Sequence, residues 1–329
     1  MSRIALDAMG GDHAPRELVL GAVQAVRQFP DVELLLVGQP SEIEPLISEQ
    51  GLKGEDRLRV VAAEQVVKMH ERPVEAIRRK PDASVVRAVG MVAAGQADAV
   101  LSAGHTGAMV AACTLGLRRL EGVKRPGIAV NIPTDQGICT AIDVGANIQP
   151  RPLHLYQYAV MASTYAEVIL GVTEPRVGLL NVGEEDGKGT DLVREAYRLL
   201  AEGELRFVGN VEARDIHRGV CDVLVCDGFV GNVVLKLIEG VAEKLFRMVL
   251  EGIGRVCPQS GEVCTSVIRD VANRVDYAQY GGAPLLGVDG IVIIAHGHSN
   301  AMAVANAIRV ANEFSRYHLN ELFVERLAG

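Results

Sequence analysis

No GxGxxG run occurs in the sequence, so the standard dinucleotide fingerprint is missing and a nicotinamide cofactor is disfavoured. A P-loop is lacking too. The stretch from Gly183 to Thr190 imitates one, but the spacing before Gly187 and Lys188 is one residue short. Gly189 also stands where a magnesium-binding Ser or Thr belongs, which disfavours ATP. There is no GxSxG elbow, and no cysteine lies in an electropositive glycine turn that would activate a thiolate. The six cysteines (Cys113, Cys139, Cys221, Cys226, Cys257 and Cys264) show no CxxC spacing and have no neighbouring histidines, so they read as reduced structural thiols. A zinc site from Cys257 and Cys264 would need two further ligands that the local sequence does not supply, and no metal or other cofactor is expected. No apolar stretch is long enough to span a bilayer. The start, MSRIALDAMGGD, carries one basic residue before entering a strand, so no secretory signal is read and a cytosolic protein is expected. A formal net charge of −8 argues against nonspecific nucleic-acid binding.

What is present is a chain of 329 residues, 49% hydrophobic and free of low-complexity tracts, which is enough for a substantial core. Strand patterns fall at Ile4 to Leu6, Glu33 to Val37, Leu58 to Val61, Ala99 to Leu101, Gly127 to Asn131, Cys139 to Val144, Val177 to Asn181, Val223 to Cys226 and Ile291 to Ala295. Helical periodicity separates most of them: Arg16 to Gln28, Ala83 to Ala94, Gly107 to Arg119, Leu153 to Leu170, Asp191 to Glu202, Val233 to Ile253 and Asn300 to Ser315. Gly127 to Ile132 and Ile138 to Val144 are separated only by Pro133 to Gly137 and read as a hairpin. The fold class is therefore α/β, a three-layer αβα doubly wound, Rossmann-like domain over residues 1–329 with a mostly parallel, mixed sheet.

Glycine-rich punctuation recurs at the strand ends. DAMGGD (Asp7 to Asp12) follows the first strand, and Pro15 suits the first turn of the next helix. SAGHTGA (Ser102 to Ala108), DVGAN (Asp143 to Asn147), NVGEEDGKG (Asn181 to Gly189), DGFVGN (Asp227 to Asn232) and HGHSN (His296 to Asn300) follow later strands. In a parallel sheet such loops gather beyond the carboxyl ends of the strands, so six of them on one rim predict one composite site. Helix amino-termini with bare N–H groups there would attract phosphate or carboxylate.

Together these blocks, with YGGAPLLGV (Tyr280 to Val288), resemble the bacterial PlsX family of phosphate acyltransferases, in the family's order and nearly end to end. The resemblance implies a fold like that of isopropylmalate dehydrogenase and phosphotransacetylase. It also implies transfer of a fatty acyl group from acyl carrier protein to inorganic phosphate, giving acyl-phosphate for phospholipid synthesis. Two positions depart from the family pattern: His105 stands where Asn is common, and His298 where a small residue or Ser is common. The fold class also admits a nicotinamide-dependent decarboxylating dehydrogenase, and the surface admits a nonenzymatic membrane scaffold.

Thioesters are reactive and phosphate is partly dianionic near neutral pH, so direct attack needs positioning and preorganised donors rather than a protein nucleophile. The expected anion donors are the backbone N–H groups of Gly10, Gly11, Gly104 and Gly107, with Thr106, while Lys188 supplies a fixed positive charge. His105 and His296, with His13 and His298, are the candidates for handling the proton. Asn147, Asn181 and Asn232 are candidate amide donors, and Asp12 lies within the first glycine turn. Asp7, Asp143 and Asp227 are read as orienting backbone or histidines, because carboxylates repel phosphate.

The segment from Val233 to Ile253 carries an apolar stripe through Val234, Leu237, Val241, Leu245, Met248 and Val249, with Lys236, Lys244, Arg247 and Arg255 nearby. Pro258 to Gly261 breaks it before Val263 to Val275, which predicts a projecting helical hairpin over 233–275 for dimer or membrane contact. The resemblance favours a homodimer that associates weakly with the cytoplasmic membrane and hands its product to a membrane glycerol-phosphate acyltransferase. An acidic carrier would need a local basic patch on this acidic protein. Arg72, Arg78, Arg79 and Lys80, or Arg118, Arg119, Lys124 and Arg125, are the candidates.

Overall fold

A computed structural model describes residues 1–256, 265–266, 268 and 281–328. The amino-terminal half alternates β1 (Ser2–Asp7), α1 (Arg16–Gln28), β2 (Val32–Gly38), α2 (Pro40–Glu49), β3 (Leu58–Ala62), α3 (Pro73–Arg79), α4 (Ser84–Ala93), β4 (Ala99–Ser102) and α5 (Thr106–Gly116). The hairpin β5 (Gly127–Thr134) and β6 (Gly137–Ile142) follows, then α6 (Pro152–Val168), β7 (Val177–Asn181), α7 (Asp191–Glu202), β8 (Phe207–Glu212) and β9 (Val223–Val225). The long α8 (Gly228–Val256) precedes β10 (Ala283–Leu286), β11 (Ile291–Ile294), α9 (Ala301–Tyr317) and α10 (Leu319–Ala328).

Period-two alternation along buried strands builds the three layers. Ile4 and Leu6 of β1 face one core with Leu18 and Val19 of α1, Tyr158 of α6, Ile308 of α9 and Phe323 of α10. Ala5 faces the other, with Val85 and Val89 of α4, Met109 and Cys113 of α5, and Leu235 of α8. Cys113, Cys139, Cys221 and Cys226 are buried free thiols, with the Cys139 and Cys221 sulfurs 3.8 Å apart. Cys257 and Cys264 lie outside the described residues.

The strands of the described residues join one sheet in the order β3-β2-β1-β4-β11-β10-β5-β6-β9-β7-β8. β1 to β4 and β11 run parallel to one another, as do β6 to β9. Between these sets β10 is antiparallel to both β11 and β5, and β5 is antiparallel to β6. Three successive reversals leave the two parallel sets pointing in opposite directions. This corrects the expectation of a single rim: the loops after β1, β4 and β11 leave one end of the strands, and those after β6, β7 and β9 leave the other.

Several elements were not anticipated, each for a physical reason. α2 contains Pro45, α3 is only 7 residues long, and β10 is a 4-residue apolar run without alternation. In β8, Gly209 interrupts the alternation and the pairing with β7 shifts register. α10 is a short helix after the left-handed His318. α8 begins at Gly228 rather than Val233, because Asp227 Oδ1 accepts the N–H groups of Phe229 (3.0 Å) and Val230 (2.9 Å). Asn232 is therefore helical and does not belong to a turn. Of the expected stripe along α8, Leu237, Val241, Leu245, Met248 and Val249 are exposed, while Val234 is half-buried against the second core. The second arm of the expected hairpin, with Pro258 to Gly261, lies outside the described residues. Among the described residues no helix is long and apolar enough to cross a membrane.

Glycine sets the closest helix approach. A Cβ on Gly21 of α1 would stand 2.5 Å from Val304 Cβ and 2.7 Å from the Ala301 carbonyl, both on α9. Gly21→Ala is expected to lower stability by about 1–3 kcal/mol through overpacking. At Gly90 of α4, where nothing lies within 4 Å, Ala is expected to add about 0.5–1 kcal/mol from helix propensity. Urea denaturation of the two variants reads the opposite signs directly.

Candidate active site

Asp7 ties together the turns that follow β1 and β4. Its buried carboxylate accepts Ser102 Oγ–H at 2.7 Å and the Met9 N–H at 3.3 Å, and Ser102 Oγ accepts the Gly104 N–H at 3.0 Å. Burial pushes the Asp7 carboxyl above its ordinary range, against the pull of these donors. Gly11, at φ +110°, brings the turn after β11 into the same cluster: a Cβ there would lie 3.2 Å from the carbonyl oxygens of both Ala103 and Gly297. The Asp12 N–H donates to the Gly297 carbonyl at 2.8 Å.

Four histidines collect on this side. His105 Nδ1 accepts the Gly107 N–H at 3.1 Å, which caps α5, and His296 Nδ1 accepts the His298 N–H at 3.3 Å. An Nδ1 that accepts from a backbone N–H fixes the orientation of each ring on its own turn. They sit on loops of adjacent parallel strands, β4 and β11. His298 Nδ1 lies 2.9 Å from Asp12 Oδ2 and its ring is 5.4 Å from that of His296 and 6.3 Å from that of His13. Asp12, expected to contribute to phosphate binding, is thus paired with His298. A cavity of about 480 Å³ opens here, lined by His13, Ala14, Arg16, Glu17, His298 and Asn300.

Internal acceptors already use most of the expected amide donors. The Gly10 N–H points to the Asp7 carbonyl at 3.4 Å, and the Gly104 and Gly107 N–H groups go to Ser102 and His105. The amide groups of Gly11 and Thr106 have no such acceptor among the described residues. The amino end of α9 is filled by Asn300 Oδ1 and Glu17 Oε2, which accept from Ala303 and Ala301.

At the other end of the strands, Asp143 repeats the role of Asp7. Its buried carboxylate accepts the N–H groups of Ile128 (3.0 Å), Gly145 (3.1 Å), Ala146 (2.9 Å) and Asn147 (2.7 Å). Burial again pushes the carboxyl up while these donors oppose it. The Asn147 side-chain amide donates to the Pro126 carbonyl (2.6 Å), Tyr158 Oη (2.8 Å) and Asp143 (3.2 Å). Asn181 closes its own loop, donating to the Lys188 carbonyl at 3.1 Å and accepting the Val182 N–H at 2.8 Å. Lys188 is exposed, 4.0 Å from Glu185 Oε1. β10, β5, β6 and β9 lie between β11 and β7, about 24 Å at the usual strand spacing. Lys188 and Asn181 are thus not brought together with His105 and His296. They border a second cavity, of about 500 Å³, with apolar walls that include Leu155, Leu179, Val193, Val230 and Val234.

α8 joins the two ends. Asn232 lies against Gly145 of the turn after β6, where a Cβ on the glycine would be 3.7 Å from Asn232 Oδ1. One helical turn later Lys236 Nζ reaches 3.4 Å from His296 Nε2 while bonding Glu239 Oε2 at 2.8 Å. The sequence reading counted Lys236 only as a charge beside the apolar stripe. Its spacing of four from Asn232 becomes informative once α8 is known to start at Gly228.

Residues 2–322 match a family described as fatty acid synthesis protein. A phosphate acyltransferase of Heliobacterium modesticaldum is 48% identical, covering 99% of this chain and 98% of its own. The chain belongs to the phosphate acyltransferase family of enzymes. A phosphate acyltransferase of Desulfitobacterium hafniense is 50% identical, over 95% of this chain and 93% of its own. Among solved structures, a phosphotransacetylase from Streptococcus pyogenes superposes with a TM-score of 0.66 at 17% identity, covering 96% of this chain and 94% of that one. A 4-hydroxythreonine-4-phosphate dehydrogenase from Klebsiella pneumoniae gives 0.53 at 13%, covering 96% and 100%. These likenesses show the shared fold that the sequence pattern implied.

His105 caps α5 through Nδ1, a position that Asn fills well. His105→Asn is expected to keep the stability of the parent, whereas His105→Ala is expected to lose about 1 kcal/mol. Thermal unfolding of the two variants tests this.

Proposed function

We propose that the chain transfers a fatty acyl group from acyl carrier protein to inorganic phosphate, releasing acyl-phosphate for phospholipid synthesis. The observation that carries this reading is the pair of histidines, His105 and His296, on adjacent strand ends, each held by a backbone N–H at Nδ1. In the transfer a phosphate oxygen forms a C–O bond to the thioester carbonyl, the C–S bond breaks, and its electron pair leaves on sulfur. A histidine Nε2–H or the proton of hydrogen phosphate then neutralises the thiolate. A donor aimed at the carbonyl oxygen as it gains charge contributes about 2.7–4 kcal/mol to lowering the barrier.

Two further features support the substrate assignment. α3, with Arg72, Arg78 and Arg79, packs beside the turn of His105, where a Cβ on Gly107 would stand 2.9 Å from Pro73 Cγ. That cationic helix suits an acidic carrier, although Glu75 partly offsets it through Arg72 and Arg79. Val230 and Val234 of α8 line the second cavity, and Leu237, Val241 and Leu245 further along the helix are exposed, which offers apolar surface to hydrocarbon. The same stripe is our candidate contact for a second copy of the chain and for the cytoplasmic membrane surface, where the product would pass to a membrane acyltransferase.

Purified protein incubated with long-chain acyl carrier protein and phosphate, then trapped with hydroxylamine, is expected to yield acyl hydroxamate only when phosphate is present. Absence of phosphate-dependent product from folded protein would sink the assignment.

A further inference from the structure

We propose that the second cavity, at the ends of β7, β8 and β9, encloses the hydrocarbon tail of the acyl donor and makes the protein selective for long chains, with Val193 and Val230 setting how much of the tail is held; this rests on the acyl-transfer reading above. Its volume of about 500 Å³ is of the size that encloses most of a small ligand. Leu155 of α6, Leu179 of β7 and Cys226 after β9 are the buried part of its wall, while Val193 of α7 and Val230 and Val234 of α8 are partly exposed.

The polar side chains on the wall are already engaged within the protein. Asn181 accepts the Val182 N–H at 2.8 Å and donates to the Lys188 carbonyl at 3.1 Å, and Thr190 Oγ1 accepts the Val193 N–H at 3.4 Å. Asp227 Oδ1 accepts from Phe229 and Val230, and Arg214 Nε lies 3.0 Å from Glu212 Oε2. A ligand rich in hydrogen-bonding groups would displace these bonds or leave its own groups unpaired, whereas hydrocarbon asks nothing of them. The first cavity is the opposite case, lined by His13, Arg16, Glu17, His298 and Asn300.

The cavity also runs in the direction a tail would take. It extends from α8 toward β7 and β8 at the edge of the sheet, and its wall residue Val234 is two residues before Lys236, whose Nζ lies 3.4 Å from His296 Nε2. A thioester held beside His296 therefore has the cavity within one turn of α8. A short acyl group stops before it and a long one enters. Each methylene that enters raises affinity by up to about fourfold, so selectivity grows with chain length.

Two measurements on the full chain test this. In one, saturated fatty acids of increasing length displace parinaric acid, a fluorescent fatty acid, with no turnover required. In the other, kcat/KM is compared for butyryl-, decanoyl- and palmitoyl-acyl carrier protein at saturating phosphate. The parent is expected to bind and to use the longer chains better. Val193→Phe and Val230→Phe, made separately, put a larger side chain into the cavity and are expected to weaken palmitate binding and palmitoyl transfer about fifteen- to sixtyfold, the loss of two or three buried methylenes. Transfer from the butyryl donor and KM for phosphate should stay within about twofold. Val208→Phe, exposed on β8 and outside the cavity, should change none of these. Folded Val193→Phe and Val230→Phe that keep the parental preference for long chains overturn the proposal. Equal loss of short- and long-chain donors in a folded variant also overturns it and makes the carrier's prosthetic arm the occupant. Length-dependent fatty-acid binding that Val193→Phe blocks, in a protein that makes no acyl hydroxamate, would leave the hydrocarbon site standing and remove the acyl-transfer reading.

Discussion

The reversal of strand direction at β10 and β5 is the constraint on which the site depends. A parallel sheet delivers its loops to one end, but here β11, β10, β5 and β6 alternate in direction, so each parallel set delivers its own loops to its own end. Only an element that runs along the strands can link them. α8 does so, with Asn232 against Gly145 and Lys236 against His296, about 6 Å of helical rise apart.

Two buried carboxylates make the turns rigid enough for this arrangement. Asp7 and Asp143 each end a strand and accept hydrogen bonds from the turn that follows, one partly through Ser102 and the other from four backbone amides. Their oxygens are committed to donors of the protein itself, so they shape the loops. The cost of burying them is offset by those donors: removing Asp143 would take the acceptor from four amides, and removing Asp7 would take it from the Ser102 hydroxyl and the Met9 amide. His105 and His296 extend the same economy: each uses Nδ1 to accept a backbone N–H of its own turn.

Family membership and this geometry agree on the kind of catalysis to expect. Relatives about half identical along nearly the whole chain are phosphate acyltransferases, and the fold is shared with a phosphotransacetylase. An acyl transfer between a thioester and phosphate asks a protein for placement and for donors aimed at developing charge. The proposed reading assigns that work to the clustered histidines and the ordered turns, and fixed donors of this sort need little reorganisation as charge moves.

The periodicities that bury one face of a strand or helix depend on near neighbours in the chain, which is why α1 and α7 have the bounds the sequence predicted and why the β5–β6 hairpin was legible. The family blocks were legible for the same reason, since each is a short run at a strand end. Short or interrupted elements such as α2, α3, β8, β10 and α10 carried too few periods to be read. Strand direction, by contrast, is a relation between residues far apart in sequence. Nothing local to NVGEEDGKG says that β7 runs against β11, so Lys188 was grouped with histidines that it does not approach. The sequence by itself determined the α/β class, the family and the glycine turns, because those rest on local backbone chemistry and periodic burial. Only the tertiary structure decided which turns meet and that Lys236 faces His296, because that depends on how the sheet orders its strands and where α8 is laid across them.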